Sequence, residues 1–444
     1  MSGANRREFL SALLAASALR AERKNFVPSD IAPLRRVLVH TPGPEIHKGL
    51  GLSGEPAFLS GGAVGEDAIE EHRGFVRLLK ESGAEVLEVE AVLDHAIDRA
   101  RSGGKFHAWV EETVPHLLAR EDQITGAALI GAADDFAYAR DAQDQFHPLT
   151  DSLRSIVYTR DSAVITPRGA IVCNFSLAAR KLEAELIRFV FAQAPEFESY
   201  PVIFDAIDEQ VHIEGGDAMV LDQATLLLGV GNRTAPEAAP LLARRLQMNV
   251  VAIQMPPRPR TPLHPVLLHL DTIFTLAGAR TALTVPFLLE ARYAGSDPLS
   301  SLLKDLARLP EANAADFTRM AAVLKELGRV TVYRAGSGER DPAAEGMKLG
   351  DWIRDRGFQL VYVGGSVPAA PDPKYVAESV IRELRFQAAN VLATAPGRLL
   401  AYAGNERTLQ AMRAAGLGVS AFRGGELMRT NGGPHCMSMP LERG

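Results

Sequence analysis

The sequence predicts a mixed α/β fold in which about five copies of a strand-strand-helix-strand unit stack into a ring. The first observation is a recurrence. A β-rich run, a Gly or Asp turn and a second β-rich run appear at 162–173, 218–230, 272–285 and 391–402. The second is that three of these runs lead into helical stretches, at 178–192, 235–247 and 406–415, with further strands at 250–254 and 418–422. Repeats of this size bury their apolar faces collectively. A doubly wound sheet is the competing architecture, but a hairpin followed by a helix fits it poorly.

Taken in order, 34–41 reads as a strand ended by Pro42-Gly43, a damaged first copy of the unit. Apolar residues at helical spacing (Ile69, Phe75, Val76, Leu79) predict a helix over 68–80, stopped by Ser82-Gly83. Val86-Leu87-Glu88-Val89 is a short strand. From Leu93 to about Ser152 the signals are helical and strand-poor, with Trp109, Val110, Val114, Leu117 and Leu118 forming apolar stripes, so 93–152 is predicted as a helical insertion. Met437-Ser438-Met439-Pro440-Leu441 is short and apolar, as a buried strand would be.

The totals narrow the class. The chain has 444 residues, enough for two or three ordinary domains or one large repetitive one, and 47% are hydrophobic, so a sizeable core is available. A net charge of -6 without a long run of one sign argues against a nucleic-acid surface. No apolar stretch is long enough to cross a bilayer. Two cysteines far apart suggest neither a disulfide framework nor a zinc cluster. Arg6-Arg7 ahead of the small-residue run 11–18 resembles a twin-arginine export signal, with Ala16-Ser17-Ala18 as cleavage site. Residues 1–22 are set apart as that signal and 23–444 as the folded domain; an amphipathic N-terminal helix is the alternative. Export or a periplasmic location is expected if the signal acts, and a cytoplasmic one otherwise.

Candidate chemistry sits at the ends of the hairpins. Cys436 lies behind Gly432-Gly433-Pro434, where the backbone can turn sharply and approach a ligand closely, and beside His435. Tyr158-Thr159-Arg160-Asp161, Glu214-Gly215-Gly216-Asp217, Gly231-Asn232-Arg233-Thr234 and His269-Leu270-Asp271-Thr272 occupy equivalent places of successive units. A ring brings such places together on its axis. Alone, each is a weak signal: a buried cysteine, a hydrogen-bonded loop or a solvated turn would read the same way.

Together with Val37-Leu38-Val39-His40, Glu70-Glu71-His72, Ala179-Arg180, Asn405 and Thr408, these stretches resemble the guanidine-modifying (pentein) superfamily, and most of all the arginine deiminase family, from about Ile31 to the C-terminus. The resemblance implies a fivefold pseudo-symmetric α/β propeller with a helical insertion after the first unit. It implies hydrolysis of a guanidino group, most simply L-arginine to L-citrulline and ammonia. Asp161 and Asp271 would hold the planar cation by its edges. Cys436 would attack its carbon as thiolate, and His269, oriented by Glu214, would move protons. Arg180 and Arg233 would bind the substrate's carboxylate, and Arg160 and Asp217 would pair structurally. Neither metal nor organic cofactor is implied. The expected partner is a small guanidino compound, with no nucleic acid and no membrane; a homo-oligomer is compatible with the chain.

The sequence departs from the family pattern at Ser155, at 59–61, at Asn431 and at Gln387-Ala388-Ala389-Asn390, and carries extra chain between 310 and 361. The changes gather at the amino-acid end of the substrate, which leaves the reaction class firmer than the substrate. An amidinotransferase using the same intermediate, and a non-catalytic guanidino-binding paralogue, are the competing readings. Cys173, His40, His72 and His212 are read as structural.

Overall fold

A computed structural model of the chain describes residues 26–47, 67–133, 138–140, 146–148, 152–257, 267–293, 298–308 and 314–444. The export-signal stretch and the 59–61 departure lie outside them.

The short apolar runs become strands β1 (Leu34–Val39), β2 (Glu85–Glu88), the hairpin β3–β4 (Tyr138–Arg140, Phe146–Pro148), β5–β7 (Ala163–Thr166, Gly169–Val172, Val202–Asp205) and β8–β10 (Ala218–Asp222, Thr225–Val230, Asn249–Gln254). Further along lie β11 and β12 (Phe274–Gly278, Thr281–Thr284), β13 and β14 (Val330–Tyr333, Arg340–Asp341), β15 (Gln359–Tyr362), β16–β18 (Leu392–Ala395, Arg398–Tyr402, Gly418–Phe422) and β19 (Met439–Arg443).

Sheets β5-β6-β7, β8-β9-β10, β11-β12-β15 and β16-β17-β18 share one topology. In each, an antiparallel hairpin leads, its second strand lies in the middle, and the third strand pairs parallel to it. A parallel neighbour cannot be reached by a tight turn, so a helix carries the chain across: Lys181–Gln193, Ala238–Leu246 and Glu406–Ala414 do so. Lys181–Gln193 buries Leu186, Ile187, Phe189 and Val190 on its inner face, each side chain worth roughly 1.5–3 kcal/mol of burial.

Sheet β19-β1-β2 repeats the pattern across the chain ends. β19 pairs antiparallel with β1, starting with Leu34 opposite Arg443, and β1 pairs parallel with β2; helix Asp67–Glu81 crosses between them. The first copy is therefore whole, its missing strand supplied by the last residues of the chain. Each unit also meets the next: β19 packs on β5, the turns before β5 and β8 touch, so do those before β8 and β11, β11 packs on β16 and β16 on β1.

One expectation changes, and the extra chain after 310, whose place the sequence left open, is located. The insertion begins as helix Val89–Ser102, so the strand before it ends at Glu88, and it contains the β3–β4 hairpin as well as helix Phe106–Thr113. The extra chain after 310 does not stay with its own unit. β13 pairs antiparallel with β10 and β14 with β13, which widens the third unit's sheet to five strands. Gly336 and Gly338, at φ 75° and 67°, make the turn between them, a backbone region glycine enters without penalty.

Candidate active site

Every unit enters its first strand through a turn, and the candidate residues sit in those turns. Thr159–Asp161 precedes β5, Gly215–Asp217 precedes β8 and Leu270–Thr272 precedes β11, each a single 3-10 turn. Gln387–Asn390 precedes β16, and His435–Cys436 precedes β19. Hydrogen bonds tie these turns in succession. Gly216 N donates to Asp161 Oδ1 (3.2 Å), Leu270 N to Asp217 Oδ1 (3.0 Å), and Asn390 Nδ2 to the Asp271 carbonyl (3.2 Å). Cys436 N donates to Asn390 Oδ1 (3.0 Å), and Arg160 N to the Cys436 carbonyl (3.1 Å). The last link returns to the turn where the first begins.

Within this frame Glu214 Oε2 lies 2.8 Å from His269 Nε2. His269 Nδ1 is buried, makes no hydrogen bond and lies 3.6 Å from Asp161 Oδ1. Burial works against an imidazolium, yet Asp161, the Glu214 hydrogen bond and Asp217 together outweigh it and raise His269 to about 9. Burial likewise works against the Glu214 charge, but Arg233 and His269 hold its carboxyl well below the usual range. The pair is ionic at neutral pH. Gly216 makes the approach possible: a Cβ there would stand 2.6 Å from His269 Nδ1 and 2.9 Å from Asp161 Oδ1.

Cys436 Sγ lies 3.3 Å from Asp271 Oδ2 and 3.0 Å from Asn390 Nδ2. Asp271 Oδ2 is also 2.9 Å from His435 Nδ1, while its Oδ1 is buried and makes no hydrogen bond. Burial, then the charges of Asp271 and Asp161, push the Cys436 thiol well above the ordinary cysteine range. Burial opposes the Asp271 charge most strongly, but the His435 hydrogen bond, the positive charges of His435 and His269 and the Cys436 hydrogen bond together outweigh it and keep that carboxyl low. The thiol is thus hard to ionise by itself.

The seven residues singled out from the sequence, Cys436, His269, Glu214, Asp161, Asp271, Arg180 and Arg233, are all buried; side-chain contacts join Asp161, His269, Glu214, Arg180 and Arg233 in one set and Asp271 with Cys436 in another, and the linked turns hold the two sets together. The arginines face the carboxylates of the site. Arg180 NH1 donates to Asp161 Oδ2 (2.7 Å), its Nε and NH2 grip Glu183, and NH2 also donates to the Ser155 carbonyl (3.2 Å). Its guanidinium lies over the Phe175 ring at 4.1 Å. Arg233 NH1 reaches both Glu214 oxygens, at 3.2 and 3.1 Å. Arg160 and Asp217 do not pair. Arg160 NH1 bonds Asp30 Oδ1 at 3.2 Å, whereas Asp217 holds the Leu270 amide; a buried guanidinium takes the nearest carboxylate, and the fold brings Asp30 in from the N-terminal segment. Cys173 and His72 are wholly buried, and His40 bonds Glu45 at 3.0 Å.

Two contributors were not read from the sequence as site residues, Asn390 having been noted only within the 387–390 departure. Glu183 lies three residues after Arg180, one helical turn on, and that spacing was legible. Asn390 stood in plain view as the fifth unit's counterpart of Asp161, Asp217 and Asp271, visible once the position before each hairpin is compared.

Comparison with known proteins places the whole chain. The family model described as arginine deiminase matches residues 131–297 and 313–443. Among curated relatives, an arginine deiminase of Metamycoplasma hominis is 26% identical over 440 residues, covering 94% of this chain and 96% of that protein. One of Listeria innocua is 25% identical over 453 residues, covering 94% and 98%. Among solved structures, a binary complex of an AgrE mutant with L-arginine superposes with a TM-score of 0.50 at 11% identity over 92% of this chain. The chain spans 40% of that longer protein's length. The likeness supports the mixed α/β fold.

Proposed function

Since the chain belongs to the arginine deiminase family, and is thereby a hydrolase of a linear amidine C–N bond, we propose that it converts L-arginine, or a close carboxylate-bearing relative, to L-citrulline and ammonia through a covalent amidino-cysteine intermediate. The observation that carries the reading is that the Cys436 thiol stands against Asp271, whose Oδ1 is buried without a hydrogen bond, while the next linked turns carry His269 with its buried, hydrogen-bond-free Nδ1 beside Asp161. In this reading the five units form a fivefold pseudo-symmetric α/β propeller whose axis passes through the linked turns.

The guanidinium enters between Asp161 and Asp271, which accept its N–H groups and fix its plane. Its positive charge offsets the two carboxylates that disfavour ionisation of Cys436, so the thiol releases its proton to solvent and the thiolate forms against the carbon it is to attack. The S–C bond forms as one C–N π pair shifts to nitrogen. His269, protonated at neutral pH, donates from Nδ1 to the departing nitrogen, and ammonia leaves. The neutral imidazole then takes a proton from water as the oxygen attacks the same carbon. As the S–C bond breaks, the remaining hydroxyl proton passes to the departing sulfur, so the Cys436 thiol is regenerated and a ureido group remains. Glu214 keeps the imidazole oriented throughout. Arg180 and Arg233 each exchange a carboxylate contact for the substrate's own carboxylate.

The test is purified protein with arginine, agmatine and methylarginines, reading ammonia and ureido product, with acid-quenched samples searched by mass for an adduct on the Cys436 peptide. Stoichiometric ammonia and ureido product with a transient Cys436 adduct is the expected result. Amidino transfer to an added amine in place of ureido product would replace hydrolase by transferase. Binding without turnover of any of these compounds would overturn the catalytic reading.

A further inference from the structure

We infer that Asn390 is the residue that holds the sulfur of Cys436 in place and favours its ionised form, the contribution of the β16–β18 unit to the site. The inference rests on Cys436 being the nucleophile proposed above.

The geometry assigns the amide unambiguously. Cys436 N can only donate, so the Asn390 atom 3.0 Å from it is the carbonyl oxygen Oδ1. The other end is then the NH2 group, which has two hydrogens and two acceptors, the Asp271 carbonyl at 3.2 Å and Cys436 Sγ at 3.0 Å. One side chain therefore grips the nucleophile at its backbone and at its sulfur, and ties both to the unit that supplies Asp271. Asn390 is itself wholly buried. Its backbone carbonyl stands 3.4 Å from His435 N, and Gly433 packs so closely that a Cβ there would lie 2.7 Å from Asn390 O and Oδ1. Nothing can be added on that side without displacing the amide.

The sulfur lies between opposing influences. Asp271 Oδ2, at 3.3 Å, accepts the S–H proton and favours the thiol, and the Asp161 charge adds to it. The Asn390 N–H is a donor aimed at sulfur, and a donor favours the anion. His435 bonds Asp271 and leaves the sulfur alone. When a guanidinium occupies the two carboxylates their influence is cancelled, while the Asn390 donor keeps its place. The residue thus acts on the step at which the thiol becomes a nucleophile, with little part in substrate affinity.

Three variants separate the elements of this role. Asn390→Ala removes acceptor and donor; Asn390→Asp keeps the acceptor facing Cys436 N and replaces the donor by a carboxylate; Asn390→Ser is small enough to fit and restores a short donor. The readouts are the pH profile of iodoacetamide modification of Cys436 without substrate, located by peptide mass, kcat and KM for arginine, and thermal melting. Asn390→Ala should move the alkylation midpoint about one unit upward, cutting the rate about tenfold at fixed pH. Asn390→Asp should move it further and Asn390→Ser less. Losses in turnover should fall on kcat, with KM within about twofold. A folded Asn390→Ala, or Asn390→Ser if the alanine variant does not fold, that is alkylated with the wild-type pH profile would overturn the assignment. Full turnover by Cys436→Ala would instead remove the proposed chemistry, so the two failures are distinguishable.

Discussion

Cys173 and Cys436 are both buried, and burial pushes both thiols well above the ordinary cysteine range. Their surroundings differ. Cys173 comes directly after β6, gives its backbone N–H to Ser162 O at 3.0 Å and packs in the apolar core. Cys436 has a carboxylate oxygen and an amide N–H within 3.3 and 3.0 Å of its sulfur. Asp161 adds to the upward push on both thiols, so proximity to charge does not distinguish them either. In the mechanism proposed above, directed partners and a bound cation would make Cys436 the nucleophile. Burial alone makes a thiol inert.

The hardest test of that contrast is Cys436→Ser. A hydroxyl is far less ionised than a thiol, and the guanidinium carbon is already a poor electrophile, so kcat should fall by roughly 10⁴-fold or more. The serine is close in size, so melting should stay near wild type. Ammonia release at the wild-type rate from a folded serine variant would end the covalent reading.

The next effect belongs to the pair that moves protons. Glu214→Gln removes the anion that orients His269 and leaves Arg233 beside a neutral amide. Loss of positioned acid-base assistance should cut kcat about 10²- to 10⁴-fold. The pH behaviour supplies a second readout. His269 is raised from 6.5 to about 9, so its protonation stabilises the fold. That contribution is complete below about 6.5 and is lost as pH rises through about 9. The alkaline fall of both melting temperature and kcat/KM should move toward neutral pH in Glu214→Gln. An unchanged alkaline limb would separate His269 from the proton donor.

How far the sequence reached depends on the range of each interaction. The β5–β6, β8–β9, β11–β12 and β16–β17 hairpins were legible because apolar runs and turn residues are adjacent in sequence, and 418–422 became β18 with those bounds. The pairing of β1 with β19 was not, because Leu34 and Arg443 meet across nearly the whole chain and no local pattern encodes a partner. The return of β13 to β10 failed for the same reason. In the site, residue types with few bland uses, such as Cys436 after Gly-Gly-Pro or His269 with Asp271, announced themselves. Asn390 did not: Gln387-Ala388-Ala389-Asn390 was read only as a departure from the family pattern, grouped with the amino-acid end of the substrate, whereas Asn390 stands against the Cys436 sulfur and amide. Arg160 was misassigned because its partner, Asp30, lies in a segment with no pattern of its own.

A smaller effect tests the other end of the substrate. Arg180 is held by Asp161 and Glu183, and Arg233 by Glu214, so removing either disturbs the guanidine end as well. Agmatine, which lacks the carboxylate, separates the contributions. A charge-assisted hydrogen bond of roughly 1.5–3 kcal/mol predicts that Arg233→Ala lowers the arginine-to-agmatine ratio of kcat/KM about ten- to a hundredfold. Equal losses for both compounds would assign Arg233 wholly to the support of Glu214.

The smallest effect on activity completes the comparison at Cys173. Its sulfur touches no reacting group in the proposed cycle, so Cys173→Ser should leave kcat/KM within about twofold. Stability should respond where activity does not. The site is fully buried in the apolar core, and a hydroxyl placed there without a partner costs about 1–3 kcal/mol. Cys173→Ala exchanges that desolvation cost for a small cavity and loses only the packing of the sulfur. The order of melting temperatures should therefore be wild type, then alanine, then serine, with kinetics unchanged in all three. Should Cys173→Ser lose turnover while it stays folded, the Cys173 sulfur would have a part in the chemistry and the contrast between the two cysteines would collapse.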